Sequence, residues 1–142
     1  MTQPSFRAEE AGEWLKVASA DLRLATLALE ADPPIVGLAL YHAQQAAEKS
    51  LKGLLVYHGA RYPLTHNLTE LLRAVLPFDK TIEAAVRPVL DLTAFATLYR
   101  YPGESDEPPL GEARSWVEKA HSVVDVVRGR VSIPPEGTRE RP

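Results

Sequence analysis

Several residue types and patterns are missing from this sequence of 142 residues, and each absence excludes a class of protein. The chain has no cysteine, which excludes disulfides, cysteine-ligated zinc, iron–sulfur clusters and a thiol nucleophile. Basic residues are not in excess, because 16 Lys and Arg stand against 19 Asp and Glu. An acidic chain of this kind has no global positive field to attract nucleic acid, so any such contact must be local.

Long apolar runs are missing as well. No run approaches the roughly 18 residues that a membrane span requires, and the first residues lack the basic and apolar regions of a secretory signal. The histidines (His42, His58, His66 and His121) include no pair at i,i+4 spacing. We therefore expect a cytoplasmic protein with no membrane segment, no bound metal and no cofactor.

What is present is helical periodicity. Apolar residues recur at spacings of three and four along five segments, and most of the twelve prolines stand between them. No alternating strand pattern, glycine-rich phosphate loop or internal repeat occurs. We predict an all-α fold, an antiparallel up-and-down bundle of four long helices plus one short helix, with the segments Glu9–Glu30, Pro33–Tyr57, Leu68–Leu76, Asp79–Leu98 and Leu110–Val131.

The length predicts one domain. Residues 1–131 carry the helical periodicity and are expected to form a single helical bundle domain. Residues 132–142 have no periodicity and too little apolar content to pack, so we expect a flexible C-terminal tail.

Five residues are predicted to set helix boundaries. Asp32 is the expected N-cap of a second helix that begins at Pro33 and Pro34. Gly59 is expected to end this helix in the left-handed backbone conformation. Asn67 and Asp79 are the expected N-caps of the third and fourth helices. Pro88 lies inside the fourth periodic segment, where a kink or restart is expected.

The first helix carries a second apolar strip in addition to its core face. Val17, Leu24 and Leu27 make up this strip. A bundle of this size has room to bury only some of these side chains, so we expect a homodimer.

The second helix has polar residues in the middle of an otherwise apolar stretch. His42, Gln45, Lys49 and Lys52 follow one another at spacings of three, four and three, so they share one stripe. One interpretation is a solvated face, or a dimer contact whose groups satisfy one another. The other is a phosphate or nucleotide site, with the lysines as donors and Gln45 contacting a base or ribose.

A second polar candidate closes the fourth helix, at Arg100 and Tyr101. An arginine in a last helical turn is favoured by the helix dipole alone. The alternative is an anion or partner site beside the acidic loop that follows. We expect both candidates to face a common ligand-binding cleft, formed by His42, Gln45, Lys49, Lys52, Arg100 and Tyr101.

Four short stretches together carry a family resemblance. They are Ala20-Asp21-Leu22, the run HAQQAAEKSLKGLL from His42 to Leu55, Thr65-His66-Asn67-Leu68 and Arg100-Tyr101-Pro102. Over about Glu9 to Arg130 the chain resembles the HEPN domain of prokaryotes. The resemblance implies a helical bundle that dimerises, binds nucleotides and is often encoded beside a minimal nucleotidyltransferase. It implies a homodimeric module that binds a nucleotide, such a transferase, or both.

The HEPN family also contains ribonucleases, whose active site is an arginine followed by four to six residues and a histidine. After Arg100 the required positions hold Ser105, Asp106 and Glu107, so the histidine is missing. Arg61 and His66 satisfy the spacing, although they flank the loop between the second and third helices. The alternative functions are therefore a ribonuclease toxin of a HEPN and nucleotidyltransferase toxin–antitoxin pair, or a purely structural bundle.

Overall fold

The computed structural model describes residues 4–98 and 107–131, and these residues form helices joined by short connections. Three helices are long: α1 (Pro4–Glu30), α2 (Val36–Tyr57) and α6 (Leu110–Arg130). Three are shorter: α3 (Leu68–Val75), α4 (Glu83–Val86) and α5 (Leu92–Leu98). The predicted all-α bundle is confirmed. The predicted tail, residues 132–142, lies outside the described residues and stays a prediction.

Helix α2 is the central element, because α1, α3, α5 and α6 all pack against it. Most of its surface is therefore buried, and sixteen of its twenty-two residues are buried. The apolar residues that make this core contact include Leu40, Leu51, Leu54 and Leu55. A polar side chain on α2 consequently has few ways to reach water.

Helices α1 and α2 approach each other closely through small residues. On α1, alanines recur every seven residues, at Ala11, Ala18 and Ala25. On α2, small residues recur at the same spacing, at Ala39, Ala46 and Gly53. The five alanines are fully buried. A Cβ atom at Gly53 would lie 2.9 Å from the Cβ of Trp14 and 3.3 Å from the carbonyl oxygen of Ala11. Gly53 is therefore the point at which the two backbones leave no room for a side chain.

The predicted N-cap at Asp32 is wrong. Helix α2 begins at Val36 rather than at the prolines, because the Ile35 amide donates to the carbonyl of Ala28 and makes the intervening residues a connection. The amide of Gly37 instead donates to a carboxylate oxygen of Glu107, at 2.9 Å. A carboxylate from a segment 70 residues away thus satisfies the positive end of α2.

The other predicted boundaries agree with the structure. Asn67 caps α3, accepting hydrogen bonds from the amides of Thr69 and Glu70, and Gly59 has the expected left-handed backbone with φ of 75°. Asp79 accepts from the Thr81 amide at 2.9 Å.

The segment predicted as one long fourth helix is broken into pieces. A 3₁₀ turn at Lys80–Ile82, helix α4, a second 3₁₀ turn at Arg87–Val89 and helix α5 follow one another. The second turn contains Pro88, which has no amide hydrogen to continue an α-helix. The expected restart at this proline is confirmed, but the apolar periodicity alone overestimated the length of regular helix.

Asp79 also joins the start of this segment to the end of α6. Burial raises the pKa of its carboxyl, but hydrogen bonds from Thr81 and the charge of Arg130 outweigh burial and leave the pKa below the ordinary value. The unfolded chain therefore binds this proton at higher pH than the folded chain does. The contribution to stability is full at neutral pH and is lost as the pH falls through the lowered pKa.

We predict that Gly53→Ala destabilises the protein. The added methyl group meets Trp14 and the backbone of Ala11, and relieving such a contact in a packed core costs about 1–3 kcal/mol of unfolding free energy. The matched control is Gly129→Ala on α6, where a Cβ would meet nothing within 4 Å. Urea unfolding should show a loss for Gly53→Ala alone; equal stability of the two variants would contradict the close approach.

Candidate functional site

The first polar group of α2 meets α1 at a single carboxylate. The Asp21 side chain, 9% exposed, is contacted by His42 and Lys49, which are seven residues apart and therefore on the same face of α2. His42 Nδ1 lies 2.9 Å from Oδ1, and the Lys49 ammonium donates to Oδ2 at 2.9 Å. We call Asp21, His42 and Lys49 the Asp21 cluster.

The second polar group joins α2 to the loop that precedes α3. Glu48, whose side chain is 4% exposed, accepts from the Lys52 ammonium at 2.9 Å. Both of its carboxylate oxygens lie 3.1 Å from His66 Nδ1. Gln44 donates to the backbone carbonyl of His66 at 2.8 Å, so the loop is held twice. We call Gln44, Glu48, Lys52 and His66 the Glu48 cluster.

The predicted stripe therefore divides between two clusters. His42 and Lys49 belong to the Asp21 cluster, and Lys52 belongs to the Glu48 cluster. Gln45 donates to the side-chain oxygen of Gln44 at 2.9 Å and so extends the second cluster. Each lysine has a carboxylate partner within its own chain, which makes each cluster electrically neutral when its histidine is neutral.

Four members of these clusters were not among the residues of the predicted ligand-binding cleft: Asp21, Gln44, Glu48 and His66. A signal was available for two of them, because Gln44, Glu48 and Lys52 stand at successive i,i+4 positions, where side chains on a helix meet. No local signal places Asp21 beside His42, since that contact depends on how α1 and α2 pack. No buried side-chain nitrogen or oxygen in the described residues lacks a hydrogen-bond partner.

The remaining predicted site residues, Arg100 and Tyr101, lie outside the described residues. The common cleft that would unite them with α2 therefore stays a prediction. Glu107, which follows that segment, contacts Gly37 at the start of α2.

The described residues 4–98 and 107–131 also allow two broader statements. They contain no group of three or more histidine and acidic side chains able to hold a metal ion. None of their helices has both the length and the apolar composition needed to cross a membrane.

Comparison with known proteins identifies the family of this helical bundle. The model of the HEPN domain family matches residues 11–130, which include both polar clusters of α2. The chain therefore belongs to the HEPN domain family, as the resemblance of the QQAAEKSLK segment implied. Comparisons with the curated proteins and with the solved structures find no match.

We predict that Glu48→Ala lowers the free energy of unfolding by about 3 kcal/mol, because it leaves the Lys52 ammonium buried without a partner. The double variant Glu48→Leu/Lys52→Met should regain most of this loss, since it removes both charges. The control is Glu83→Ala, which breaks an exposed ion pair with Arg87 and should lower the free energy of unfolding by at most about 1 kcal/mol. Similar unfolding midpoints for Glu48→Ala and Glu83→Ala in urea would contradict a buried structural pair.

Proposed function

We propose that this HEPN-family protein is a non-catalytic binding module that acts in the cytoplasm as a homodimer and binds a nucleotide or a minimal nucleotidyltransferase. The observation that carries the proposal is that exposed apolar side chains of α1 and α2 accompany half-buried polar side chains of α2. We call these side chains the α1–α2 face, which consists of Val17, Leu24 and Leu27 on α1 and Leu38, His42, Gln45 and Lys49 on α2.

The apolar part of this face supports the homodimer. Val17 and Leu24 are 47% exposed and Leu27 is 52% exposed, although each lies on a long helix of the bundle. Apolar side chains grouped on one face of a helix are typical of an interaction surface. They are the same residues that form the second apolar strip of the first predicted helix.

The polar part supports ligand binding. The side chains of His42 and Lys49 are 19% and 25% exposed, so each reaches the surface while one end is held by Asp21. A ligand phosphate would share the Lys49 ammonium with Asp21, and His42 and Gln45 would offer hydrogen bonds beside it.

Three further residues belong to the proposed site for other reasons. The proposal includes Arg100 and Tyr101 on sequence grounds. Arg100 would donate hydrogen bonds to a phosphate of the ligand, and the Tyr101 side chain would orient the ligand. Lys52 is included as a nearby positive charge, although its side chain is 10% exposed and already pairs with Glu48.

The non-catalytic part of the proposal rests on the sequence after Arg100. No histidine occurs between Arg100 and His121, so the arginine has no imidazole at the spacing that the ribonucleases of the family use. Carboxylates of a loop are ionised at neutral pH and are weak bases there. Phosphate binding without cleavage is the activity that these residue types favour.

We predict that substitutions at this site weaken ligand binding without unfolding the protein. Calorimetric titrations with ATP and with a purified minimal nucleotidyltransferase should give a higher Kd for Lys49→Gln and for Arg100→Ala. The expected increase is roughly five- to a hundredfold, or about 1–3 kcal/mol for a charge-assisted hydrogen bond. The glutamine at position 49 keeps a hydrogen-bond donor for Asp21. The control is Lys16→Gln, an exposed lysine of α1 that pairs with Glu13. The proposal fails if the parent binds neither probe or if both variants bind as the control does.

A second candidate function, the ribonuclease toxin, is favoured by the geometry at His66. Its Nδ1 faces the buried Glu48 carboxylate, and its side chain is 79% exposed. No described residue forms a hydrogen bond or ion pair with its Nε2. A carboxylate behind an imidazole fixes the tautomer and stabilises the imidazolium, as general acid–base catalysis requires. Arg61 is exposed and precedes His66 by the spacing that the family's ribonucleases use.

We expect no RNA cleavage by the purified protein, and a defined test separates the two candidates. Single-stranded RNA is incubated with the parent and with His66→Gln, Arg61→Ala and Arg100→Ala. The control is His121→Gln, an exposed histidine on α6. If RNA is cleaved, and cleavage is lost in His66→Gln and Arg61→Ala but retained in Arg100→Ala and His121→Gln, the binding module is rejected and the ribonuclease is the function supported.

A further inference from the structure

We infer that a groove between α1 and α6 binds a small zwitterion of the α-amino acid class. The groove has a volume of about 210 Å³. None of the described residues that line it belongs to the α1–α2 face. The inference therefore goes beyond the proposed function and does not depend on it.

The floor of the groove is apolar. It is formed by Leu29 on α1 and Val117 on α6, which belong to the core of the bundle and are 6% and 5% exposed. Small-molecule sites combine an apolar lining with a few polar groups that fix the orientation of the ligand. The floor can hold an aliphatic or aromatic side chain, and the polar groups above it decide what else the ligand must carry.

Three charged side chains line the same groove: Glu30 on α1, and Arg114 and Glu118 on α6. All three are exposed. Within residues 4–98 and 107–131, none of these side chains forms a hydrogen bond or an ion pair. By contrast, the two arginines at the other end of α6 each pair with an aspartate. The hydrogen-bonding groups of the three side chains are therefore available to a ligand.

The two helices run in opposite directions at the groove. Arg128, near the end of α6, donates to Ser19 on α1, whereas the groove joins later residues of α1 to earlier residues of α6. This direction places Glu30 and Arg114 at the same end of the groove, on opposite walls. Glu118 lies one helical turn further along α6. A carboxylate and a guanidinium thus face one end of the apolar floor.

This arrangement matches the head group of an amino acid. The guanidinium of Arg114 offers a fork of donors to a carboxylate, and Glu30 and Glu118 can accept from an ammonium, which has three donors. Both groups of an α-amino acid are attached to one carbon, so both can be bound at the same end of the groove. The side chain then lies on the apolar floor, toward Thr26 and His121 at the other end.

Size and charge both disfavour a nucleotide in this groove. Drug-sized ligands occupy sites of about 300–1,000 Å³, so a groove of about 210 Å³ is too small for a whole nucleotide. Among the described lining residues, two carboxylates stand against one guanidinium, and this excess repels a phosphate group. An amino acid is not repelled in this way, because its ammonium faces the carboxylates.

Titration of the isotope-labelled full chain, followed by NMR, tests the inference. L-leucine at millimolar concentration should shift the amide signals of the residues that line the groove. Glycine lacks the apolar side chain and L-leucinamide lacks the carboxylate, so each should bind about tenfold more weakly or worse. N-acetyl-L-leucine should bind most weakly, because it keeps the negative charge and has no ammonium.

Two substitutions on opposite walls assign the contacts. Arg114→Gln should raise the Kd of L-leucine about tenfold or more, whereas L-leucinamide should bind as tightly as it does to the parent or more tightly. Glu30→Gln should raise the Kd of both ligands, because both carry the ammonium. The matched controls are Arg73→Gln on α3 and Glu10→Gln on α1, exposed residues outside the groove, which should leave both Kd values unchanged.

Several results would overturn the inference. If L-leucine, L-methionine and L-phenylalanine all leave the groove signals unchanged, the groove is not an amino-acid site. Shifts confined to other parts of the chain overturn the assigned groove. Equal binding of L-leucine and L-leucinamide, or an unchanged Kd in Arg114→Gln or Glu30→Gln, overturns the recognition of a zwitterion. ATP that shifts the groove signals overturns the ligand class. None of these results bears on the α1–α2 face, which Lys49→Gln tests.

Discussion

The pairing of two buried carboxylates with two lysines is the interaction on which the rest of the structure depends. Helix α2 is covered on most sides, yet it carries His42, Glu48, Lys49 and Lys52 within the eleven residues 42–52. A buried charge without a partner would cost several kcal/mol, so each of these groups must find a partner as the bundle forms. Asp21 on α1 and Glu48 on α2 meet that requirement. Asp21 reaches Lys49 only through the packing of α1 on α2, whereas Glu48 and Lys52 are brought together by their i,i+4 spacing within α2.

These pairs also fix the elements around α2. The Asp21 cluster sets the rotation of α1 about its own axis, because Asp21 has to reach His42 and Lys49 while the alanines of α1 lie against α2. The Glu48 cluster sets the course of the loop before α3, because His66 is held through both its ring and its backbone carbonyl. The polar residues of α2 that were predicted to form a binding site therefore also stabilise the packing of the helices and of the loop before α3. The proposed binding at Lys49 and the support of the fold would use the same ammonium group.

The sequence predicted those features that depend on neighbouring residues. Helix α6, the Asn67 cap and the left-handed Gly59 all follow from local patterns, and all agree with the structure. The stripe of His42, Gln45, Lys49 and Lys52 divides in the structure between the Asp21 cluster and the Glu48 cluster. Features that depend on distant residues were not predictable. The partner of Lys49 is on another helix, and the cap of α2 comes from Glu107 instead of the adjacent Asp32. The long fourth helix was overestimated because apolar spacing cannot distinguish a continuous helix from short turns that bury the same side.

The hydrogen bond between Gly37 and Glu107 has a consequence for the order in which the chain folds. Helices α1 and α2 are joined by a short connection, and their contacts are close in sequence, so they can form early. The cap of α2, however, is supplied by a residue 70 positions later. During synthesis the first turn of α2 remains uncapped until that residue has left the ribosome. The N-terminal cap of the central helix therefore cannot form before residue 107 has been synthesised, although the helix itself begins at Val36.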